Sequence, residues 1–138
     1  MKANELRIGN WVQSDTNRAY KIELTWFECC KDSRDGRDIQ FNTYPIPLTE
    51  EWLVKFGFIL ADKGSKERRC YHKAISEDNV FEIWKQDDLE FEECRLWNNT
   101  DSYKMHFDNL KVIPKHVHQL QNLYFALINN ELTLKDNG

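Results

Sequence analysis

The sequence predicts an α+β fold, and three observations carry that prediction. Strand-like segments separated by turns recur at short intervals between residues 58 and 112, a strongly amphipathic helical stretch follows them, and a shorter capped helix precedes them. The expected architecture is a small N-terminal antiparallel β unit, SH3-like in its curl, then a short helix, then an antiparallel β-meander covered by the C-terminal helix. On this reading residues 1–47 form the small β module and 48–138 the meander with its helix, the two closing into one compact unit.

Taken in order, residues 6–14 alternate as a strand does, with Ile8 and Val12 as the inward side chains and Gly9 marking a bulge or tight bend. Asp15, Thr16 and Asn17 supply turn chemistry. A second strand at 20–24 sets Tyr20, Ile22 and Leu24 on one face. Residues 31–38 contain no apolar side chain and read as a mobile loop before a short strand at 39–41. Pro45 and Pro47 keep their predecessors extended. Thr49 then caps a helix of about two turns, Glu50 and Glu51 sit where the helix dipole favours negative charge, and Gly57 suits its end. Trp52, Leu53 and Phe56 share one face of it.

Beyond that helix the pattern predicts strands at 58–61, 68–75, 80–86, 89–97 and 103–108, joined by turns rich in Ser, Asp and Asn. Short connections favour antiparallel neighbours. Alternation breaks within 89–97, where Leu89 and Phe91 share one parity while Cys94 and Leu96 share the other, so a bulge is expected there. The last helix is read over 114–128. Pro114 fits a first turn, and Val117, Leu120, Leu123, Tyr124, Leu127 and Ile128 recur at helical spacing. Asn129 or Asn130 can end it in the left-handed conformation.

Composition narrows function by exclusion. Hydrophobic residues make up 41% of the chain and five are tryptophan, so a folded core is within reach. No apolar run approaches the length of a membrane helix, no membrane association is expected, and the polar start gives no signal peptide, so the expected setting is the cytoplasm. The net charge of −4 argues against nucleic-acid binding, which needs a basic face; Lys66-Glu67-Arg68-Arg69 is the only basic run. Cys29, Cys30, Cys70 and Cys94 lack a metal or disulfide spacing and are read as reduced thiols.

Several constellations can be weighed for chemistry. His116 and His118 form an H-x-H pair; with both on a helix their rings diverge by about 200°, so they share no metal ion. Cys70 and His72 offer two ligands without a third. Asp87, Asp88, Glu90, Glu92 and Glu93 crowd one hairpin, and paired carboxylates there would suit acid–base or metal chemistry; a solvated strand face is the plainer reading. His118, Gln121 and Asn122 make a polar stripe opposite the apolar face of the last helix, with Trp97 able to border it. That stripe is the candidate binding site. No phosphate loop, nucleophile elbow or zinc-protease motif is present, and neither a cofactor nor a metal nor a catalytic residue is expected.

Three segments carry a family resemblance: Asn4-Glu5-Leu6-Arg7-Ile8-Gly9-Asn10-Trp11-Val12, the run from Pro45 to Leu53 with Phe56-Gly57-Phe58, and Val117-His118-Gln119-Leu120-Gln121-Asn122-Leu123-Tyr124-Phe125-Ala126-Leu127. They resemble a group of small uncharacterised proteins of Bacteroidetes gut bacteria and their prophages and mobile elements. The resemblance implies a bacterial or phage setting and directs attention to His118, Gln121 and Asn122. His116 departs from the group, which tends to an aromatic residue there, and Asn129-Asn130 replaces a glycine-containing turn. Together these readings predict a non-enzymatic protein-interaction or assembly module that meets a protein partner or a second copy. The alternatives are a small metal-dependent hydrolase using the acidic hairpin and a nucleic-acid-binding accessory protein.

Overall fold

The computed structural model describes residues 1, 3–31, 43–61, 67–86, 90–98, 106–110 and 112–136. Met1–Leu48 and His116–Leu132 form one unit, and Thr49–Lys115 with Thr133–Gly138 form a second. Among the described residues, no helix is long and apolar enough to cross a membrane.

In the first unit a single 3₁₀ turn at Ala3–Glu5 precedes strand β1, Trp11–Gln13, which pairs antiparallel with β2, Ala19–Lys21. The strand expected at 6–14 is shorter because Gly9, at φ 94°, turns the chain, and the Asn10 amide donates to the Arg7 carbonyl. Ile8 is therefore exposed rather than inward, whereas Val12 is buried as its parity requires. Leu6, Val12 and Ile22 form a core cluster, with Tyr20, Trp26 and Phe27 packed against it. The second strand also ends early. Helix α1, Leu24–Lys31, takes over, turning Leu24 outward; its Thr, Trp, Phe and Cys content favours strands, so local propensity pointed the other way. Of the loop read at 31–38, Lys31 is instead the last residue of α1; the rest of that loop and the strand read at 39–41 lie outside the described residues.

The second unit follows its sequence pattern closely. Helix α2, Glu50–Lys55, is capped by Thr49, whose hydroxyl accepts from the Trp52 amide. It ends where Gly57, at φ 82°, lets Phe58 donate back to the Leu53 carbonyl. Strands β3 (Ile59–Ala61), β4 (Arg68–Ala74), β5 (Asn79–Gln86), β6 (Phe91–Asn98) and β7 (His106–Leu110) then form a five-stranded antiparallel meander in sequence order. The expected bulge is present. Trp84 pairs with Glu93 and Lys85 with Phe91, leaving Glu92 as the extra residue. Paired residues of an antiparallel ladder share a face. Tyr71, Phe81, Ile83 and Cys94 thus line one side, and Cys70, Glu82, Trp84 and Arg95 the other. Phe58 meets Phe81 edge-to-face at 6.0 Å, and Lys73 Nζ donates to the Phe56 carbonyl at 3.0 Å.

The C-terminal helix, α3, spans Val117–Ile128 and ends at Asn129 in the left-handed conformation, as its sequence predicts. Two features differ from the sequence reading. First, α3 groups with the first unit, where it contacts β1, whereas the sequence reading placed it in one stretch with residues 48–138. Second, it starts after Pro114 instead of around it. The chain stays extended through His116, which bridges Pro47, and the Val117 amide donates to the Ile46 carbonyl at 2.9 Å. That bridge sets the first helical residue.

Candidate functional site

The Gly9 turn leaves backbone groups of the N-terminal segment without ladder partners, and α3 supplies them. Gln121 is buried, 2% exposed. Its Oε1 accepts from the Trp11 amide at 2.8 Å, and its Nε2 donates to the carbonyls of Gly9 at 3.0 Å and Leu132 at 3.4 Å. Asn122 donates to the Glu5 carbonyl at 2.8 Å and accepts from Asn10 Nδ2 at 3.0 Å. Farther along the helix, the Arg7 guanidinium lies 3.7 Å over the Phe125 ring and pairs with Glu131 at 2.6 Å. Residues 5–11 are thus strapped along α3 by side chains spaced three and four apart.

His118 is the unusual member. It is 2% exposed, and among the described residues neither ring nitrogen has a hydrogen-bond partner. Its ring stacks on His116 with centroids 5.8 Å apart and planes 12° from parallel. The expected divergence of the two rings fails because His116 is the extended N-cap rather than a helical residue. Burial, reinforced by His116 and the Met1 amino group and only partly opposed by Glu5, holds the imidazole down to about 4. It is therefore neutral at physiological pH.

Of the four residues expected to form a binding site, the structure brings His118, Gln121 and Asn122 together but turns His118 and Gln121 inward, not toward solvent. Trp97 lies on β6 in the second unit, opposite Val80 in the ladder. Gln121 is committed to backbone groups of the same chain and Asn122 to the Glu5 carbonyl and the Asn10 side chain, and His118 offers a proton-accepting nitrogen that is costly to charge.

The acidic hairpin is also committed. Because the bulge puts Glu92 and Glu93 side by side, Arg68 binds both, through Nε to Glu92 at 2.6 Å and through Nη2 to Glu93; Arg95 adds a second fork to Glu93 at 2.7 and 2.9 Å. The Arg95 hydrogen bonds, with help from Arg68 and against burial, hold the Glu93 carboxyl below the usual range. Glu90 sits 3.6 Å from Lys115, while Asp87 and Asp88 lie outside the described residues. Among the described residues no group of three His, Cys, Asp or Glu could hold a metal ion. Cys70 and Cys94 are buried and form no disulfide, and burial followed by Glu93 pushes the Cys94 thiol up to about 12; Cys29 and Cys30 fall on α1.

Two clusters escape a reading of sequence alone. Arg68 and Arg95 flank the Trp84 ring at 4.5 and 5.1 Å, and the Trp84 indole N–H donates at 3.1 Å to Glu82, a carboxylate with 0% exposure. Glu50, on the first turn of α2, accepts from the Tyr71 hydroxyl, Lys85 and Arg69. Burial alone would raise the Glu50 carboxyl, but these donors together hold it low, and burial with Glu50 pushes the Tyr71 phenol up to about 12. Strand register, once known, makes both clusters visible.

Fold and site together define an α+β protein of two units whose polar clusters serve largely to join its own elements. Comparison with known proteins finds no matching family model, no matching curated protein and no matching solved structure.

Proposed function

We propose that this chain is a non-enzymatic protein-interaction or assembly module that works from an edge of its meander. The observation that supports this reading is strand β3. It is the terminal strand of the sheet, and among the described residues β4 is its only strand neighbour. Ile59 and Leu60, which alternate across it, are 63% and 52% exposed. An edge strand offers free backbone donors and acceptors to an extended segment, and apolar side chains on both of its faces add affinity. The preferred partner is an apolar extended segment of another protein or the same strand of a second copy. The family resemblance supports a bacterial or prophage origin and a cytoplasmic setting, and an SH3-like curl of the first unit belongs to the same proposal, resting on the β1–β2 pair alone.

The enzymatic and nucleic-acid alternatives have less support. Glu92 and Glu93 are neutralised by arginines, and Arg68 and Arg69 of the one basic run are paired with glutamates. Sedimentation over micromolar concentrations, together with affinity capture, tests the proposal. It predicts either self-association or a specific partner, with either one lost in Leu60→Lys. A strict monomer that captures nothing, or binding untouched by Leu60→Lys, would refute it.

A further inference from the structure

His118 sits one turn before the residues that strap the N-terminal segment to α3, and its surroundings suit only a neutral ring. The charged or titratable groups facing it are His116 at its own helix start, and Glu5 and the Met1 amino group from the N-terminal segment. Strand β1, which packs on α3, contributes Trp11, Val12 and Gln13, none of which titrates. The 43–48 segment bridged to His116 carries only the exposed phenol of Tyr44, and Tyr124 on α3 is a phenol raised further by burial.

We infer that His118 is a proton-operated latch, releasing residues 5–11 from α3 when its imidazole is protonated. A neutral imidazole leaves one acceptor unsatisfied when buried without partners, whereas an imidazolium has two N–H donors and a full charge with nowhere to place them. The positive end of the α3 dipole and the parallel His116 ring both disfavour that charge. The single facing anion is Glu5, whose backbone carbonyl is held by Asn122. A charged ring relieves its penalty by moving toward that carboxylate and water, and this motion pulls on the segment strapped by Asn122 and Gln121. Loss of those hydrogen bonds frees the Trp11 amide. The device lies in the first unit and is independent of the sheet-edge reading.

Amide hydrogen exchange of the whole chain, expressed as protection corrected for intrinsic rates, reads the latch at Trp11. With the ring held near about 4 against an ordinary value of 6.5, linkage predicts protection about 20-fold lower at pH 5 than at pH 7. Amides of β5 should keep theirs. His118→Leu, similar in volume and unable to charge, should remove the pH step, and His116→Asn should retain it. Should His118→Leu fail to fold, the wild type still decides: Trp11 protection must start to fall near the ordinary histidine value and level off at the pH where NMR shows the His118 ring, and not that of His116, to titrate. Trp11 protection equal at both pH values, a step that survives in His118→Leu, or an equal fall in β5 would overturn the latch.

Discussion

A glutamine amide has one carbonyl and two N–H donors, and at Gln121 these meet three backbone groups from two separate stretches of the first unit. Removing it strands a buried amide and two carbonyls, so Gln121→Leu should cost about 2–4 kcal/mol, measured as a lower urea midpoint at unchanged slope. Asn122, half-exposed with two partners, should cost about 1 kcal/mol as Asn122→Leu. His118 makes the same unit acid-sensitive. Its folded-state value lies below its unfolded one, so the stability it contributes is complete above pH 6.5 and is lost as pH falls toward about 4. Over that window the loss approaches about 3 kcal/mol, and His118→Leu should flatten the curve. The sequence makes the clustering of residues 118, 121 and 122 legible from spacing alone. It does not reveal that the cluster faces inward, because polar residues on a helix are read as solvated unless an unpaired backbone is known to need them. Here that need arises at the Gly9 turn, more than a hundred residues upstream.

Among the elements, α2 shows how local signals and register combine. Its cap, acidic first turn and glycine stop are all readable, but the anchoring of Glu50 by Tyr71, Lys85 and Arg69 needs the β4–β5 register. Glu50→Gln keeps the shape and removes the charge, and should cost about 1–2 kcal/mol in thermal melts at neutral pH. The difference from wild type should shrink in acid, because a carboxyl held low contributes stability above its unfolded value and loses it as pH falls through the folded one. On the other face of the meander, Trp84→Phe preserves a ring between Arg68 and Arg95 but withdraws the indole donor from buried Glu82. The expected cost is about 1–3 kcal/mol, read by denaturant unfolding. The meander strands fall within a few residues of their sequence pattern, and the parity break at residues 89–97 did locate the bulge at Glu92. Helix α1 had no such signal, since Thr25, Trp26, Phe27 and the two cysteines favour extended chain.

For the whole molecule, chain order and spatial order diverge. The path leaves the first unit after Leu48, returns at His116 and leaves again after Leu132. Sequence reasoning assigns an amphipathic helix to the sheet just before it, because consecutive elements are most often neighbours; the apolar face of α3 was legible, but its destination was not. What decides the destination is the pairing of His116 with Pro47 and the hydrogen bonds from Gln121 and Asn122, none of which has a local signature. The helix is thus a structural part of the N-terminal unit. Leu120, buried at the centre of α3, gives the direct test. Leu120→Ala should destabilise its own unit by about 2–5 kcal/mol, so residue-resolved amide exchange should show protection falling across β1 and β2 while β4, β5 and β6 lose less. If the loss falls instead on the meander strands, or if β1 and β2 keep full protection, α3 does not close the first unit and the account is contradicted.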